Sequence, residues 1–478
     1  MRWLPALLLL LAPALGHAQP AKDVELARAA YRFGFPVYQM MAQRGLGAAR
    51  LPPGFNGSNT IFTRSTLVDH RAREVTTPNN DVLYGHAWLD LSGPPVIFSM
   101  PDLPNRFHVV SLLDLFTDNV LVLGSRATGG KGGRYLIAGP GWRGEVPKGV
   151  QLVRAPMTDM WLIIRVLVDG PDDLAAGRLV LSGFQLATMG EPPYRPMVAP
   201  ASNPADPQTF LSVVNEALAR GPMPPDQARR AAALFRAGIG QPWTRLTPQM
   251  QAAWRLHAPR FYDELKGGLG STGWTAQGWT YPRPTLGRFG VDDFYRAKVA
   301  LGGIAALPIS DAVYVSTGRD VDGLPLFGTK GYRLHIPANV PVRGFWSLTM
   351  YEMEEDGRLF LTANPIARYS IGDRTAGLRR NADGSVDVLL SHAPPPDQSN
   401  WLPAPSGLYR LTFRGYWPEK PLQDGRFRLP PVTPLVPRVQ NASAPLPGGV
   451  QRGDSAGRSS RKGKANFKDK TGVNAIGS

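Results

Sequence analysis

Hydrophobic and polar residues alternate along Thr76–Leu91, a stretch that includes the turn-forming run from Pro78 to Asp81. Proline presets φ, and Asn and Asp side chains bond to nearby backbone, so the pattern predicts a turn that leads into a strand. One face of this strand would be mostly apolar, while the other would carry Tyr84, His86 and Trp88. The carboxamide-rich corner and the aromatic face make this stretch the first candidate for a binding site.

Short apolar runs separated by Gly and Pro turns continue from residue 94 to 167, and the same style returns from residue 312 to 417. Such regular spacing favours antiparallel sandwiches, whereas the period between the two regions is that of helices. We therefore predict a mainly β protein with two tandem jelly-roll-like antiparallel sandwiches and a helical insert between them. Two β regions of similar length suggest a duplication, but no repeat at a fixed period is visible.

The predicted helices begin with Asp23–Arg32, which Pro36 is expected to limit because proline lacks a backbone donor. Further helices are predicted over residues 207–220, 226–237, 247–266 and 292–304. The resulting domains are a signal peptide (1–18), an N-terminal β-sandwich domain with the opening helix (19–200), a helical insert (201–308), a C-terminal β-sandwich domain (309–435) and a disordered basic tail (436–478).

The first eighteen residues predict export. One early cation, Arg2, precedes an apolar run and then Gly16-His17-Ala18, which suits a signal peptidase. The run is too short to span a membrane, and no later segment reaches spanning length. We therefore expect an exported protein of the periplasm or the extracellular space, without a membrane span. The chain has no Cys, which excludes disulfides, cysteine nucleophiles and cysteine-ligated metals.

Basic residues exceed acidic ones, with 53 Lys+Arg against 37 Asp+Glu and a formal charge of +16. Part of this excess lies in the Gly- and Ser-rich tail, whose composition is typical of disorder. We predict no nucleic-acid partner. A polyanionic partner such as an acidic glycan or a lipid headgroup remains open, beside the alternative of a solvated basic surface.

Several motifs resemble a bacterial family of exported proteins that pair two domains of unknown function, numbered 1254 and 1214. The N-terminal likeness rests on Pro78-Asn79-Asn80-Asp81-x-x-Tyr84, Leu112-Leu113-Asp114, Gly139-Pro140-Gly141-Trp142 and Arg165 with Gly170-Pro171-Asp172. The C-terminal likeness rests on Phe345-Trp346-Ser347-Leu348, Asn364-Pro365, Arg368-Tyr369-Ser370, Asn400-Trp401-Leu402-Pro403 and Tyr416-Trp417-Pro418. The resemblance implies tandem jelly-roll-like sandwiches, similar in form to double-jelly-roll coat proteins, and it supplies no activity.

Two carboxylates of the first β region, Asp81 and Asp114, are the candidate catalytic residues. A protonated and ionised carboxyl pair beside aromatic residues is what a glycan-cleaving enzyme would use. Alternatively, Asp81 caps its turn, and Asp114 pairs with Arg106.

Aromatic residues edged by Arg and Asn form the other candidate site, because aromatic faces and polar edges together hold sugars or planar ligands. The alternative is a large sandwich core. The predicted ligand-binding residues of both regions are Asn79, Asn80, Tyr84, Arg106, Trp346, Tyr351, Arg368, Tyr369, Asn400 and Trp401.

The histidines show no metal-ligand spacing, so we predict no transition-metal site. Asp320 and Asp322 alternate as carboxylates do in calcium loops, but the distal Glu of a complete motif is missing. A plain Asp-Gly turn is the alternative.

Three functions follow from these observations. The first is binding of a small molecule or glycan at a cleft in or between the two sandwiches. The second is cleavage of a carbohydrate or other polymer by the aspartate pair. The third is a structural or assembly role, in which the chain forms a homo-oligomer as coat proteins do.

Overall fold

The structure is a computed structural model that describes residues 19–52, 57–191, 195–266 and 273–436. The predicted signal peptide and all but the first residue of the predicted tail lie outside these residues. The chain up to Val436 forms one compact unit. None of the described helices combines the length and apolarity that a bilayer crossing requires.

The strands of the first half include the predicted strand after the turn at residues 78–81 and fill the predicted β region from residue 94 to 167. The strands are β1 (Phe62–Thr63), β2 (Val82–Asp90), β3 (Val96–Met100), β4 (His108–Leu113), β5 (Asn119–Gly124), β6 (Gly133–Ala138), β7 (Gln151–Arg154), β8 (Asp159–Leu167) and β9 (Gln185–Thr188).

The second half also contains the predicted strands, together with short edge strands that the sequence did not indicate. They are β10 (Trp274–Ala276), β11 (Trp279–Tyr281), β12 (Ala312–Thr317), β13 (Tyr332–Ile336), β14 (Trp346–Met353), β15 (Leu359–Phe360), β16 (Ser370–Gly372), β17 (Val386–Ser391), β18 (Trp401–Pro403), β19 (Tyr409–Tyr416) and β20 (Thr433–Pro434).

The helices are α1 (Gln19–Ala48), α2 (Ser125–Thr128), α3 (Leu174–Ser182), α4 (Pro207–Ala219), α5 (Pro225–Ala233), α6 (Pro248–Leu265), α7 (Asp293–Gly302) and α8 (Lys420–Gln423). The four helices predicted between residues 207 and 304 are confirmed. Caps explain three of their starts. Asp206 accepts from Thr209 N at 2.7 Å, Thr247 accepts from Met250 N at 3.2 Å, and Asp292 accepts from Tyr295 N at 3.1 Å. Helices α2, α3 and α8 were not predicted.

The prediction that Pro36 limits the opening helix was wrong, because α1 continues through this residue to Ala48. Proline removes one hydrogen bond within a helix, but tertiary packing can offset that loss. Here the middle of α1 is buried, with Tyr31, Phe35 and Tyr38 at most 1% exposed. Its aromatic residues pack against α4 and α6, as in the stacked pair of Tyr31 and Phe210 with ring centroids 4.5 Å apart.

The first sandwich consists of two sheets. Sheet I has the strand order β1-β2-β8-β4-β5, and sheet II has the order β7-β6-β3-β9. Apolar residues of the two sheets, such as Leu83, Ile164, Phe98 and Ile137, share one core with α1 and the helices of the insert. The predicted insert therefore packs into the core of the first sandwich.

The second sandwich is built in the same way. Sheet III has the order β10-β11-β12-β19-β14-β15, with β16 also paired to β14, and sheet IV has the order β18-β17-β13-β20. Its own core contains Leu348, Phe413, Leu334 and Val388. The predicted class, mainly antiparallel β with two sandwiches and helices, is confirmed.

The two sandwiches repeat one strand topology. In sheet I, β8 lies between β2 and β4, and in sheet III, β19 lies between β12 and β14. In sheet II, β3 pairs with β6 and β9, and in sheet IV, β13 pairs with β17 and β20. The edge pairs β6–β7 and β17–β18 are both parallel. We call β2–β9 the first repeat and β12–β20 the second repeat, with β15 and β16 in the place of β5.

Short sequence motifs mark equivalent positions in the two repeats. The motifs are Pro78-x-x-Asp81-x-x-Tyr84 with Pro308-x-x-Asp311-x-x-Tyr314 at the first strands, and Ala155-Pro156 followed by Arg165 with Ala404-Pro405 followed by Arg414 at the last long strands. The backbone agrees, because Val168 N donates to Asp81 O at 3.2 Å and Trp417 N donates to Asp311 O at 2.9 Å. A duplication is thus present, although loops of different length remove any fixed period.

Sheets I and III face each other, so that the order of layers is II, I, III and IV. At one end, the two faces close in a small apolar cluster that includes Val82, Leu167, Ala312 and Tyr416. The equivalent residues Phe107 and Phe345 meet in this cluster, with ring centroids 5.3 Å apart. Away from the closed end, the two sheets leave a cavity between them.

Candidate functional site

The cavity between sheets I and III has a volume of about 710 Å³, which lies in the range of pockets for small organic molecules. Its long walls are the facing strands β2 and β8 of sheet I and β12 and β19 of sheet III. Residues 300–306, from the last turn of α7 onward, and the segment 72–79 before β2 also line it. The cleft that was predicted in or between the two sandwiches therefore has a counterpart in the structure.

Sheet I presents three rows of side chains to the cavity. Cross-strand register places Tyr84 beside Arg165, His86 beside Ile163 and Trp88 beside Trp161. Directly opposite residues in an antiparallel pair share one face, and all six line the cavity. The three rows follow one another outward from the closed end of the cavity, which lies at Val82.

Sheet III presents rows in the same direction. Register places Ala312 beside Tyr416 at the closed end, then Tyr314 beside Arg414, then Ser316 beside Thr412. Arg410, two residues before Thr412 on β19, continues this face toward the outer end of the cavity. These side chains make a polar face, because the intervening Leu411 and Phe413 point into the core of the second sandwich.

Arg165 is 6% exposed and is held at the inner end of the cavity. Its Nη1 donates to Ser111 Oγ at 3.0 Å, and its Nη2 donates to the carbonyl of Ala305 at 2.7 Å. The guanidinium lies 5.6 Å from the ring centroid of Tyr84. These contacts hold the Arg165 guanidinium in place and use only some of its N–H donors.

Arg414 is 3% exposed and is held in a corresponding way. Its Nη1 donates to Thr349 Oγ1 at 2.7 Å, while its Nη2 donates to the hydroxyl of Tyr351 at 2.6 Å and to the carbonyl of Thr77 at 3.2 Å. Burial alone would lower its pKa, but the neighbouring Tyr351 and Tyr416, followed by the carboxylate of Asp81, outweigh burial and raise the pKa. Arg414 therefore stays charged.

No described carboxylate lies within ion-pair distance of Arg165, Arg410 or Arg414. Arg410 has no hydrogen-bond partner in the described part of the chain either, and burial lowers the pKa of its guanidinium. Buried cations are normally paired or bound to an anion, because desolvating a charge is costly. The cavity is thus a site of unbalanced positive charge.

The rim of the cavity is also basic, but its cations are paired. Arg50 lies 2.8 Å from Glu74, Lys266 lies 2.8 Å from Asp263, and Arg358 lies 2.6 Å from Asp356. These side chains are partly or fully exposed. The unpaired arginines therefore distinguish the interior from the rim.

The outer part of the sheet I wall is aromatic. Trp88 and Trp161 stack with ring centroids 4.8 Å apart at an interplanar angle of 5°, and His86 meets Trp161 edge-on. Burial, together with the charge of Arg64, lowers the pKa of His86, so its imidazole is neutral near pH 7. Nδ1 of His86 and Nε1 of Trp161 are buried without a hydrogen-bond partner in the described residues.

The predicted corner at residues 78–81 joins the two sandwiches. Asn79 Nδ2 donates to the hydroxyl of Tyr416 at 2.7 Å, and the Oδ2 of Asp81 accepts from Ser347 Oγ at 2.6 Å. Asn80 donates to the carbonyl of Val68 at 2.5 Å and fixes the preceding loop. Among the ligand-binding residues predicted from sequence, only Asn79 and Tyr84 line the cavity.

The two candidate catalytic carboxylates do not share a site. Asp81 pairs through its backbone with Val168, whereas Asp114 follows Leu113, which lies opposite Trp161 on the same strand β8. The offset of eight residues along β8 separates them by roughly 26 Å. Paired carboxylates of glycosidases lie roughly 5–9.5 Å apart, so this geometry does not support the predicted pair.

Asp114 is instead part of a buried turn. Its Oδ1 accepts from Phe116 N at 2.9 Å and from Asp118 N at 3.0 Å. Arg106 does not pair with it, because its guanidinium binds Asp173 through contacts of 2.6 and 2.7 Å. Neither Asp114 nor Arg106 lines the cavity.

The predicted aromatic and Arg set of the second sandwich belongs to its core and loops. Trp401 is 0% exposed and its Nε1 donates to Ser391 O at 2.9 Å, while Trp346 stacks on Phe413. Tyr351 is 0% exposed and donates to the carbonyl of Pro78 at 2.6 Å. The structure therefore does not gather this set into an open platform.

The remaining three members of that set hold local structure. Arg368 donates to the carbonyls of Gln398 and Trp401, and Asn400 donates to the carbonyl of Arg379. The hydroxyl of Tyr369 lies 2.8 Å from Nδ1 of His70.

The candidate calcium residues form a turn. Asp320 Oδ1 accepts from Asp322 N at 3.0 Å and from Leu324 N at 2.9 Å, as an Asp that organises a turn does. In the described ranges, no group of three or more His, Asp or Glu side chains has the arrangement of a metal site. A calcium ion near Asp320 and Asp322 stays an untested prediction.

Sequence reasoning missed Tyr314, Arg410 and Arg414 as partners of the aromatic face on β2. A signal was available, because Arg410, Thr412, Arg414 and Tyr416 alternate with Leu411 and Phe413. Such alternation is typical of a strand with one solvated face. Only the structure shows that sheet I covers that face.

Two family models match the chain in the expected order. Protein of unknown function DUF1254 matches residues 58–188, and protein of unknown function DUF1214 matches residues 311–420. The chain belongs to the proteins that pair these two domains. The DUF1254 match contains all strands of the first repeat, and the DUF1214 match contains the second repeat from β12 to β19.

One solved structure agrees on the fold. The crystal structure of the VPA0106 protein from Vibrio parahaemolyticus has a TM-score of 0.66 and 23% sequence identity, and the match covers 87% of this chain and 100% of that one. A putative uncharacterized protein from Burkholderia cenocepacia has a TM-score of 0.42 and 10% identity over 87% of this chain and 94% of that one. No curated protein matches this chain.

Proposed function

We propose that this DUF1254–DUF1214 protein binds a small organic anion in the cavity between sheets I and III. The observation that carries this proposal is the set of three cavity-lining arginines, Arg165, Arg410 and Arg414, that have no carboxylate partner among the described residues. Their charges lie in a partly dehydrated space, where an anion gains more from each contact than it would in water.

The size and walls of the cavity support an organic ligand over a bare inorganic ion. A volume of about 710 Å³ accommodates many more atoms than one phosphate or sulfate. Aromatic side chains, among them Trp88 and Trp161, cover part of one wall and would bury apolar surface of the ligand. An anionic sugar also fits this description, which keeps the predicted glycan within the proposal.

The other functions predicted from sequence receive less support. The separation of Asp81 and Asp114 removes the geometric basis of a carboxylate-pair enzyme. An assembly role stays a prediction, and light scattering of the purified protein measures it directly, because coat-like assembly requires a discrete large oligomer. Export to the periplasm or beyond is likewise part of the proposal, and the ligand would then be one that is present outside the cytoplasm.

The experiment is thermal unfolding and titration calorimetry of the chain from Gln19 onward against a ligand panel. The panel contains aromatic and aliphatic carboxylates, uronic and neutral oligosaccharides, phosphate esters and divalent metal ions. A ligand at a hundred times its dissociation constant should add about 2.7 kcal/mol to the free energy of unfolding. We expect organic anions to raise the melting temperature and neutral sugars to leave it unchanged.

Two arginine variants give a matched control. Arg410→Gln removes a cavity charge that makes no described hydrogen bond, so it should weaken anion binding at least tenfold without unfolding the protein. Arg134→Gln removes the same charge from an exposed position of β6 and should leave binding unchanged. Equal affinity of both variants, or binding of neutral ligands alone, would contradict the proposal.

A further inference from the structure

We propose that the ligand is an aromatic monocarboxylate that binds with its acid group innermost, between the repeat-related pairs Tyr84–Arg165 and Tyr314–Arg414, and with its ring beside Trp161. This inference rests on the proposed function and specifies its ligand. Its basis is the duplication, which places the same two side chains on both walls of the inner cavity and different side chains on the two walls further out.

The two Tyr–Arg pairs are equivalent in register. Tyr84 lies directly opposite Arg165 on β2 and β8, and Tyr314 lies directly opposite Arg414 on β12 and β19. Each pair follows the closed end of the cavity by two residues along its strands. The charges of Arg165 and Arg414 both act on the half-buried phenol of Tyr314, as does Tyr84, so the four side chains form one group.

The arginines are held in an equivalent and reciprocal way. Arg165 donates to Ser111 of its own repeat, and Arg414 donates to Thr349, which occupies the same register position in the other repeat. Arg165 also donates to the carbonyl of Ala305, just before the second repeat, and Arg414 to the carbonyl of Thr77, just before the first.

The two carbonyls come from residues with left-handed backbone conformations. Thr77 has φ of 53° and Ala305 has φ of 61°, although residues with a Cβ rarely adopt such values. Strained backbone of this kind persists where the surrounding structure requires it and often lies at binding sites. Here, it positions the acceptors that orient both guanidinium groups toward the space between the sheets.

The inner site matches a carboxylate in donors and in charge. Each guanidinium has five N–H groups, of which Arg165 uses two and Arg414 three for described protein acceptors. The remaining donors and the phenol of Tyr84 face one space from two sides, as the two oxygens of a carboxylate require. The carboxylate of Asp81 acts on Arg414 and offsets part of the positive charge of the two guanidinium groups, which favours a monoanion over a dianionic phosphate.

Further out, the two repeats diverge. His86 and Trp161 on the first repeat occupy the register positions that Ser316 and Arg410 occupy on the second. One wall therefore offers aromatic faces and the opposite wall offers a guanidinium, and a flat aromatic ring between them gains stacking on one side and a cation–π contact on the other. Four residues along β8 separate Arg165 from Trp161 by roughly 13 Å, so a short spacer between acid and ring suits the cavity.

The test is titration calorimetry with four matched probes. Phenylpropanoate is the expected ligand, cyclohexylpropanoate keeps its acid and size without the aromatic face, phenylpropanol lacks the charge, and benzylphosphonate replaces the carboxylate by a group of higher charge. We expect phenylpropanoate to bind roughly three- to tenfold more tightly than the cyclohexyl acid and more than tenfold more tightly than the alcohol.

The outcomes separate the two proposals. Equal affinity for the phenyl and cyclohexyl acids overturns the aromatic assignment and leaves anion binding intact. Tighter binding of the phosphonate overturns the carboxylate assignment in the same way. If no acid binds while the alcohol does, or if none of the probes and no other organic anion binds, the proposed function fails as well.

Variants of the duplicated pair and of the outer wall provide the second test. Tyr84→Phe and Tyr314→Phe should each weaken phenylpropanoate binding by a similar factor, roughly three- to tenfold, because the two phenols occupy equivalent positions. Trp161→Leu should remove the preference for phenyl over cyclohexyl, and Trp161→Phe should restore it. A preference that survives in a folded Trp161→Leu variant, as checked by its melting curve, contradicts the assigned position of the ring.

Discussion

Arg165 and Arg414 occupy equivalent positions of the two repeats, and each donates its Nη2 to a backbone carbonyl that belongs to the segment leading into the opposite repeat. The acceptors are Ala305 at 2.7 Å and Thr77 at 3.2 Å. The two sandwiches are therefore joined by the same side chains that supply positive charge to the cavity. Neither sandwich alone contains the complete inner site, which gives a physical reason for the pairing of DUF1254 with DUF1214.

The joint between the sandwiches should contribute measurably to stability. Tyr416 accepts from Asn79 at 2.7 Å and lies 3.4 Å from Oδ2 of Asp81. Tyr416→Phe leaves the buried Asp81 and the half-buried Asn79 with fewer partners and should lower the free energy of unfolding by about 1–3 kcal/mol. Denaturant unfolding at constant pH measures this change.

Tyr409→Phe on the same strand is the matched control. The hydroxyl of Tyr409 is buried and has no hydrogen-bond partner in the part of the chain that the structure describes. Its removal should be neutral or slightly stabilising. A Tyr416→Phe variant as stable as the Tyr409→Phe variant would show that the joint contributes nothing to stability.

Ala305 has a left-handed backbone conformation, so its replacement by glycine should not lower the free energy of unfolding. Replacement of Ala by Gly normally destabilises a protein, but at φ of 61° glycine is free of the strain that a Cβ causes. Ala305→Gly should therefore be neutral or stabilising by up to about 1 kcal/mol. Ala252→Gly, at an exposed position inside α6, should cost about 1 kcal/mol in the same unfolding assay. Equal losses at both sites would mean that Ala305 stores no strain.

Local patterns predicted the elements well and the long-range relationships poorly. Alternation identified β2 and its aromatic face because period two is a local property of the chain. The two β regions suggested a duplication, but no fixed period was visible, because the offset between equivalent residues differs at Tyr84 and Tyr314 from that at Arg165 and Arg414. Loops of different length, together with the helix α2 in the first repeat, cause this difference. The correspondence becomes visible only in the order of strands within the sheets.

The candidate site was also predicted only in part, because its local residues follow from the sequence and its opposite wall does not. Tyr84, His86 and Trp88 follow from one stretch of sequence, but the wall they face comes from β12 and β19, more than two hundred residues later. Trp346 and Trp401 were attractive because aromatic residues beside Arg and Asn are typical of sugar sites, yet the same composition occurs in a sandwich core. The sequence contains no signal that separates the two cases, since burial depends on the partner sheet.

Asp81 distinguishes the binding function from the catalytic one that the sequence suggested. In the cavity proposed here, its negative charge offsets part of the charge of Arg414. Asp81→Asn should keep the contact with Ser347 and should tighten binding of an organic anion, roughly threefold or more. Calorimetry of the variant measures this effect, and weaker binding or loss of a measurable turnover would favour a direct role for the carboxylate.

The last prediction concerns pH and the buried turn at Asp114. Burial, followed by the charge of Asp118, raises the pKa of Asp114 to about 7, although Arg296 acts in the opposite direction. Between about pH 4 and pH 7, the folded state therefore keeps a proton that the unfolded chain releases, and the free energy of unfolding should fall as the pH rises through this window. Asp114→Asn preserves an oxygen that can accept from Phe116 N and Asp118 N. The variant should therefore show a flatter pH profile and should be more stable than the parent at pH 8, by on the order of 2–4 kcal/mol.

Denaturant unfolding at a series of pH values measures both curves, with the exposed Asp172→Asn as the control that should follow the parent. A parent profile that rises over the same window would show that Asp114 is ionised in the folded state, because a carboxylate stabilised by its two backbone donors and Arg296 gives the opposite slope.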